Sequence, residues 1–123
     1  MVAAARCLRV LVVDDEPLIR WSIAETLGAA GHEVIEAEDA ASALRAIQDQ
    51  PDPNVVLLDF RLPDSDDLGL LAKIRQMAPD AAVVMMTAFG TPDVTAGALK
   101  LGASQVLSKP FNMHDLEDVV RSL

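Results

Sequence analysis

Aromatic side chains are nearly missing from this sequence, at 3% of residues with no tyrosine at all. Aliphatic residues and alanine must therefore fill any core. Basic residues are also scarce: 10 Lys and Arg stand against 19 Asp and Glu, a net charge of −9 and a pI near 4.4. That balance argues against direct nucleic-acid contact, which needs a basic footprint, and against anionic membranes. Cys7 is the single cysteine, so no internal disulfide forms, consistent with a reducing compartment. No apolar run approaches membrane-spanning length. The first residues show no signal-peptide pattern, because their apolar stretch runs directly into Asp14-Asp15-Glu16. The chain reads as cytoplasmic.

What is present is a series of short apolar runs that each stop at a polar residue. Leu8–Val13 ends at Asp14-Asp15, Val55–Leu58 at Asp59, Ala81–Met86 at Thr87, and Val106-Leu107-Ser108 at Lys109. Short β-branched runs of this kind read as buried strands of a parallel sheet. Chemistry in an open parallel sheet collects outside the carboxyl ends of its strands. Three acids, one hydroxyl and one cation would thus converge on one edge, as a phosphoryl-accepting acidic site requires.

The 123 residues, 51% hydrophobic, suit one domain with a real core. They divide into five βα units of about 25 residues each. Strands are expected near residues 8–13, 32–37, 54–59, 82–87 and 104–108, and helices near 17–30, 40–49, 66–77, 92–101 and 113–122. Pro17 and Pro92 suit first helical turns, and Asp39, Thr91 and Asn112 suit N-caps. Gly31 and Gly102 suit left-handed helix stops. Alternating units imply right-handed crossovers, with helices on both faces of the sheet. The chain fits equally a complete small protein or a module excised from a longer regulator.

Each polar strand end admits two readings. Asp14 and Asp15 repel each other unless a cation lies between them, and magnesium needs only one or two carboxylates; alternatively, one is a solvated loop acid. Asp59 follows a run too apolar for a stray charge, so it either shares that metal or bonds loop amides. Thr87, followed by the small Ala88, offers a hydroxyl to a phosphoryl oxygen, or is an ordinary strand residue. Lys109 is a point charge suited to phosphate, or a surface lysine.

Taken together, Val12-Val13-Asp14-Asp15-Glu16-Pro17, Leu57-Leu58-Asp59, Leu62-Pro63-Asp64, Met86-Thr87-Ala88 and Lys109-Pro110-Phe111 resemble the receiver domain of bacterial two-component response regulators. The likeness covers residues 1–123, and Thr87-Ala88-Phe89-Gly90 and Gly102-Ala103 look most like receivers of enhancer-binding transcriptional activators. The resemblance implies a flavodoxin-like doubly wound (βα)5 fold, with a five-stranded parallel sheet in strand order 2-1-3-4-5. It implies Asp59 as phosphoacceptor from a sensor histidine kinase or a histidine phosphotransfer protein. Mg2+ would be held by Asp14, Asp15, Asp59 and the backbone carbonyl of Arg61. Thr87 and Lys109 would grip the phosphoryl oxygens, and the Lys109–Pro110 bond would be cis. A downstream effector is implied and a homodimer allowed; catalysis would be self-directed, with slow loss of the phosphoryl group.

Three positions depart from that pattern. Val106 and Ser104 stand where aromatics are common, so an inward-swinging ring is not the readout expected here. The loop from Ala88 and the helix from Pro92 are expected to carry the signal instead, with Gly97 either loosening that helix or permitting close packing. Asp67 replaces a frequent glycine. Trp21, opposite the inward stripe Ile19, Ile23, Leu27 and Ala30, is a candidate docking residue for a kinase, or merely covers its neighbours.

Other functions on similar folds fit less well. A haloacid-dehalogenase-like phosphatase needs a second Asp where Arg61 stands. A nucleotide- or flavin-binding module needs a glycine-rich loop where Asp14-Asp15-Glu16 would repel phosphate. A receiver-like module that signals without phosphorylation is the remaining alternative.

Overall fold

The computed structural model describes residues 7–49, 52–64, 68–88 and 91–123. Five strands, β1 (Arg9–Val13), β2 (Glu33–Ala37), β3 (Val55–Asp59), β4 (Ala82–Thr87) and β5 (Gln105–Ser108), alternate with five helices. The helices are α1 (Pro17–Ala29), α2 (Ala40–Asp49), α3 (Gly69–Met77), α4 (Pro92–Lys100) and α5 (Met113–Arg121). All strand pairs are parallel, and the sheet order is β2-β1-β3-β4-β5.

The period-2 alternation of strand side chains divides the core in two. Leu11, Val13, Val56, Leu58, Val83 and Met85 face α2, α3 and α4, and meet Ile47, Leu71, Ile74 and Ala98. Val10, Val12, Val55, Leu57, Val84 and Met86 face α1 and α5, and meet Ile23, Leu27, Leu116 and Val120. Because both faces of the central strands are covered, β3 is buried at every residue. Leu71 is 0% exposed whereas Leu18 is 74% exposed. Leu71→Ala should therefore cost about 2–5 kcal/mol, and Leu18→Ala less than about 0.5 kcal/mol. Urea unfolding of the two variants measures both; equal costs would contradict this layering.

Local signals explain the helix ends. Thr91 and Asn112 accept the amides of Val94 and Asp115, capping α4 and α5, and Asp39 Oδ1 accepts the amide of Ser42. Gly31 and Gly102 take positive φ values of 94° and 104° behind α1 and α4, a backbone geometry that disfavours any side chain. The Lys109–Pro110 peptide is cis.

Two expectations change. β5 is not a buried strand: its burial runs from exposed Gln105 through half-buried Val106 and Leu107 to exposed Ser108, because it lies at the sheet edge. Ala30 does not join the inward stripe of α1. It caps the helix after Ala29 and is exposed, while Ile23 and Leu27 are buried and Trp21 is 57% exposed. Residues 65–67, where α3 was expected to start and where Asp67 lies, fall outside the described residues.

Candidate functional site

Parallel pairing brings the carboxyl ends of β1, β3, β4 and β5 to one edge, and with them the five polar strand-end residues. Two backbone bonds fix the rim: Phe60 N–H donates to the Met86 carbonyl at 2.9 Å, and Lys109 N–H to the Thr87 carbonyl at 2.8 Å. A cleft of about 240 Å³ opens there, lined by Asp15, Asp59, Arg61, Thr87 and Lys109 among others.

Burial differs sharply among these groups. Asp14 is 0%, Thr87 1% and Asp59 7% exposed, whereas Asp15 and Arg61 are exposed. Isolated buried carboxylates are costly, so they need partners. Lys109 Nζ supplies one, lying 2.9 Å from Asp14 Oδ2 and 3.3 Å from Asp59 Oδ2. Glu16, which sequence reasoning had not assigned, lies 3.5 Å from the same ammonium.

Among the described residues, Asp14, Asp15 and Asp59 offer carboxylate oxygens that all lie within 4.8 Å of one another. Hard anionic oxygens at such separations fit a small divalent cation such as magnesium. One ammonium against three carboxylates leaves excess negative charge, which raises the case for a cation there.

That excess is visible in Asp59. Its pKa is raised from 3.8 to about 6, by burial first and by the Asp14 charge second. Lys109 and the Arg61 backbone N–H, which donates to the carboxylate, pull the other way. Asp59 is still mainly ionised at neutral pH. Burial works against the Lys109 ammonium, but its hydrogen bond to Asp14 and the charges of Asp59 and Asp14 prevail, holding its pKa above the usual range.

Two further polar residues support this edge from a distance. Asp64, in the loop after β3, accepts the Ala40 and Ala41 amides at 2.8 and 3.1 Å, so it caps α2 from across the fold. Arg20 of α1 donates to the Asp14 backbone carbonyl at 2.7 Å and to Glu36 Oε1 at 3.2 Å. Neither contact has a signature in the linear pattern, since both depend on how distant elements meet. Beside the acidic cleft lies an apolar one lined by Ile19, Pro110, Phe111 and Met113.

The response regulator receiver domain model matches residues 10–121. The DNA-binding transcriptional regulator NtrC of Escherichia coli (strain K12) is 38% identical over 106 residues, 86% of this chain and 22% of that protein. Among solved structures, the receiver domain of NtrX from Brucella abortus is 40% identical with a TM-score of 0.84, covering 92% of this chain and 95% of that one. A CheY-like response regulator receiver domain protein from Methanospirillum hungatei JF-1 is 30% identical with a TM-score of 0.89, covering 95% of this chain and 93% of that one. This chain spans less than half the length of curated relatives such as NtrC.

Proposed function

We propose that this chain, which belongs to the response regulator receiver domain family, is a phosphorylation-controlled signalling switch with Asp59 as its phosphoacceptor. The observation that carries this reading is the convergence of Asp59, Thr87 and Lys109 on one cleft beside a three-carboxylate cluster. The receiver family is a signalling domain and not a classical enzyme, so the chemistry falls on the domain itself.

In the proposed reaction, an ionised Asp59 oxygen forms a bond to the phosphorus of a donor phosphohistidine. The P–N bond breaks, and its electron pair stays on the imidazole, which takes up a proton. Phosphoryl transfer asks the protein mainly for positioning and charge neutralisation. Asp14, Asp15, Asp59 and the Arg61 backbone carbonyl would hold Mg2+, which supplies countercharge for the phosphoryl oxygens when bound. Lys109 brings a second positive charge to within 3.3 Å of the accepting carboxylate, and Thr87 donates a hydroxyl hydrogen bond.

Phosphorylation adds roughly −1.5 to −2 charges at one side chain. New charge-assisted bonds from Thr87 and Lys109 are worth about 1.5–3 kcal/mol each. Inverting a 1:99 population needs about 5.5 kcal/mol, so two such bonds come close to throwing a two-state switch. The readout runs through Ala88 and α4, because Val106 offers no ring to swing inward. Gly97 fits this as a close-packing residue: a Cβ there would lie 2.9 Å from Leu68 Cδ1, so α4 rests on the start of α3. The donor partner is a histidine kinase or a histidine phosphotransfer protein. We read the chain as one module of a longer cytoplasmic regulator with an effector domain downstream, in which a second copy could act as dimer partner. Its share of its relatives' length supports the further domain.

Intact mass after incubation with acetyl phosphate and Mg2+ tests the proposal. Wild type should gain one phosphoryl group, and Asp59→Asn or omission of Mg2+ should abolish the gain. An unlabelled wild type, under conditions that label another receiver, would overturn it in favour of a module that signals without phosphorylation.

A further inference from the structure

Asp14 has every polar group occupied. Its N–H donates to the Ala37 carbonyl at 3.0 Å. Its Oδ1 accepts the Glu16 amide at 2.9 Å and its Oδ2 accepts Lys109 Nζ at 2.9 Å. The fourth contact, from Arg20 to the backbone carbonyl at 2.7 Å, differs from the rest because it acts on the peptide that joins Asp14 to Asp15. That peptide is planar, so holding its carbonyl also sets the direction in which the chain continues to Asp15. Asp15 is exposed, with no burial to hold it.

Arg20 is itself held. Its side chain is 17% exposed, and its Nε donates to Glu36 Oε1 at 3.2 Å. Glu36 lies opposite Val12 in the β1–β2 register, next to the strand end from which Asp14 emerges. One guanidinium thus ties α1, β2 and the β1 exit together. The planar fork of arginine serves two acceptors at fixed angles, which a lysine cannot reproduce.

We propose that Arg20 is a positioning residue for the metal cluster: through the Asp14–Asp15 peptide it sets both carboxylates for Mg2+, and Glu36 keeps it in place. This rests on the magnesium-dependent switch proposed above. Groups that orient metal ligands from behind typically contribute 10- to 100-fold in affinity.

The sign of the effect separates positioning from simple charge. Arg20→Gln removes a positive charge near an acidic cluster, so Coulomb's law alone predicts tighter Mg2+ binding. Positioning predicts binding weaker by about tenfold. The experiment is calorimetric titration of the chain with MgCl2 for wild type, Arg20→Gln, Arg20→Lys, Glu36→Gln and the Arg20→Gln/Glu36→Gln pair, each checked for folding by circular dichroism. Weaker binding in Arg20→Gln, with the double variant no weaker than Arg20→Gln alone, is the expected result. Equal or tighter binding in Arg20→Gln overturns the proposal and leaves the switch reading intact. If Arg20→Gln does not fold, Arg20→Lys decides: it keeps the charge, so weaker binding supports a geometric role and unchanged binding overturns it. Absence of Mg2+ binding by wild type would overturn both this proposal and the metal assignment beneath it.

Discussion

Lys109→Met should destabilise the metal-free protein by about 3–5 kcal/mol at pH 7, the usual cost of stripping one partner from a buried ion cluster. Asp14 is 0% and Asp59 7% exposed, and Lys109 Nζ is the cation within 3.3 Å of both carboxylates. Methionine keeps much of the apolar stem, so lost packing contributes little. What remains is two carboxylates repelling each other in a poorly solvated place. The deficit should shrink on acidification, since protonating Asp59 removes one of the two charges, and also with added Mg2+. Urea unfolding in chelator at pH 7 and pH 5, and then with MgCl2, measures all three. A loss below about 1 kcal/mol at pH 7 would mean that water, not Lys109, compensates these charges.

The opposite sign is expected for Asp59→Asn, which should stabilise the metal-free protein by up to about 3 kcal/mol at pH 7. The Asp59 pKa is raised from 3.8 to about 6 on folding. Between those values the folded state binds more protons than the unfolded state. Stability therefore falls as pH rises from about 4 through about 6 and stays lower above that window. Asparagine resembles the protonated acid and does not titrate, so its advantage should be present at pH 7 and disappear near pH 4. Paired unfolding curves across this range test the idea; a variant less stable than wild type at pH 7 would refute it. The same substitution removes the proposed phosphoacceptor, so here stability and function pull in opposite directions.

These two results together would show that the strand-end site has too many acids for its one lysine. That surplus was legible in the sequence, because each polar residue interrupts an apolar run and parallel pairing brings such interruptions to one edge. Asp14, Asp59, Thr87 and Lys109 needed only strand periodicity to be placed. The caps at Thr91 and Asn112 and the stops at Gly31 and Gly102 were legible for a similar reason, since each acts within a few residues of itself. Val106 lies in the expected strand, but its partial exposure was not legible, because periodicity shows which face a residue takes, not whether its strand lies at an edge. Ala30 was misplaced because a helical stripe carries no notice of where the helix ends. The bonds from Arg20 to Asp14 and from Asp64 to α2 were invisible, since each joins elements whose relative position only the assembled sheet determines.

The anchoring of Asp64 on the first turn of α2 has a mechanical consequence. The segment leaving Asp59 is pinned at one end by the Phe60 amide on the Met86 carbonyl and at the other by two bonds to Ala40 and Ala41, with Leu62 wedged into the core between them. A short strut clamped at both ends and in the middle yields little. In the proposed switch, a force at Asp59 would be resisted on the α2 side, and deformation would fall across the cleft, where β4 ends.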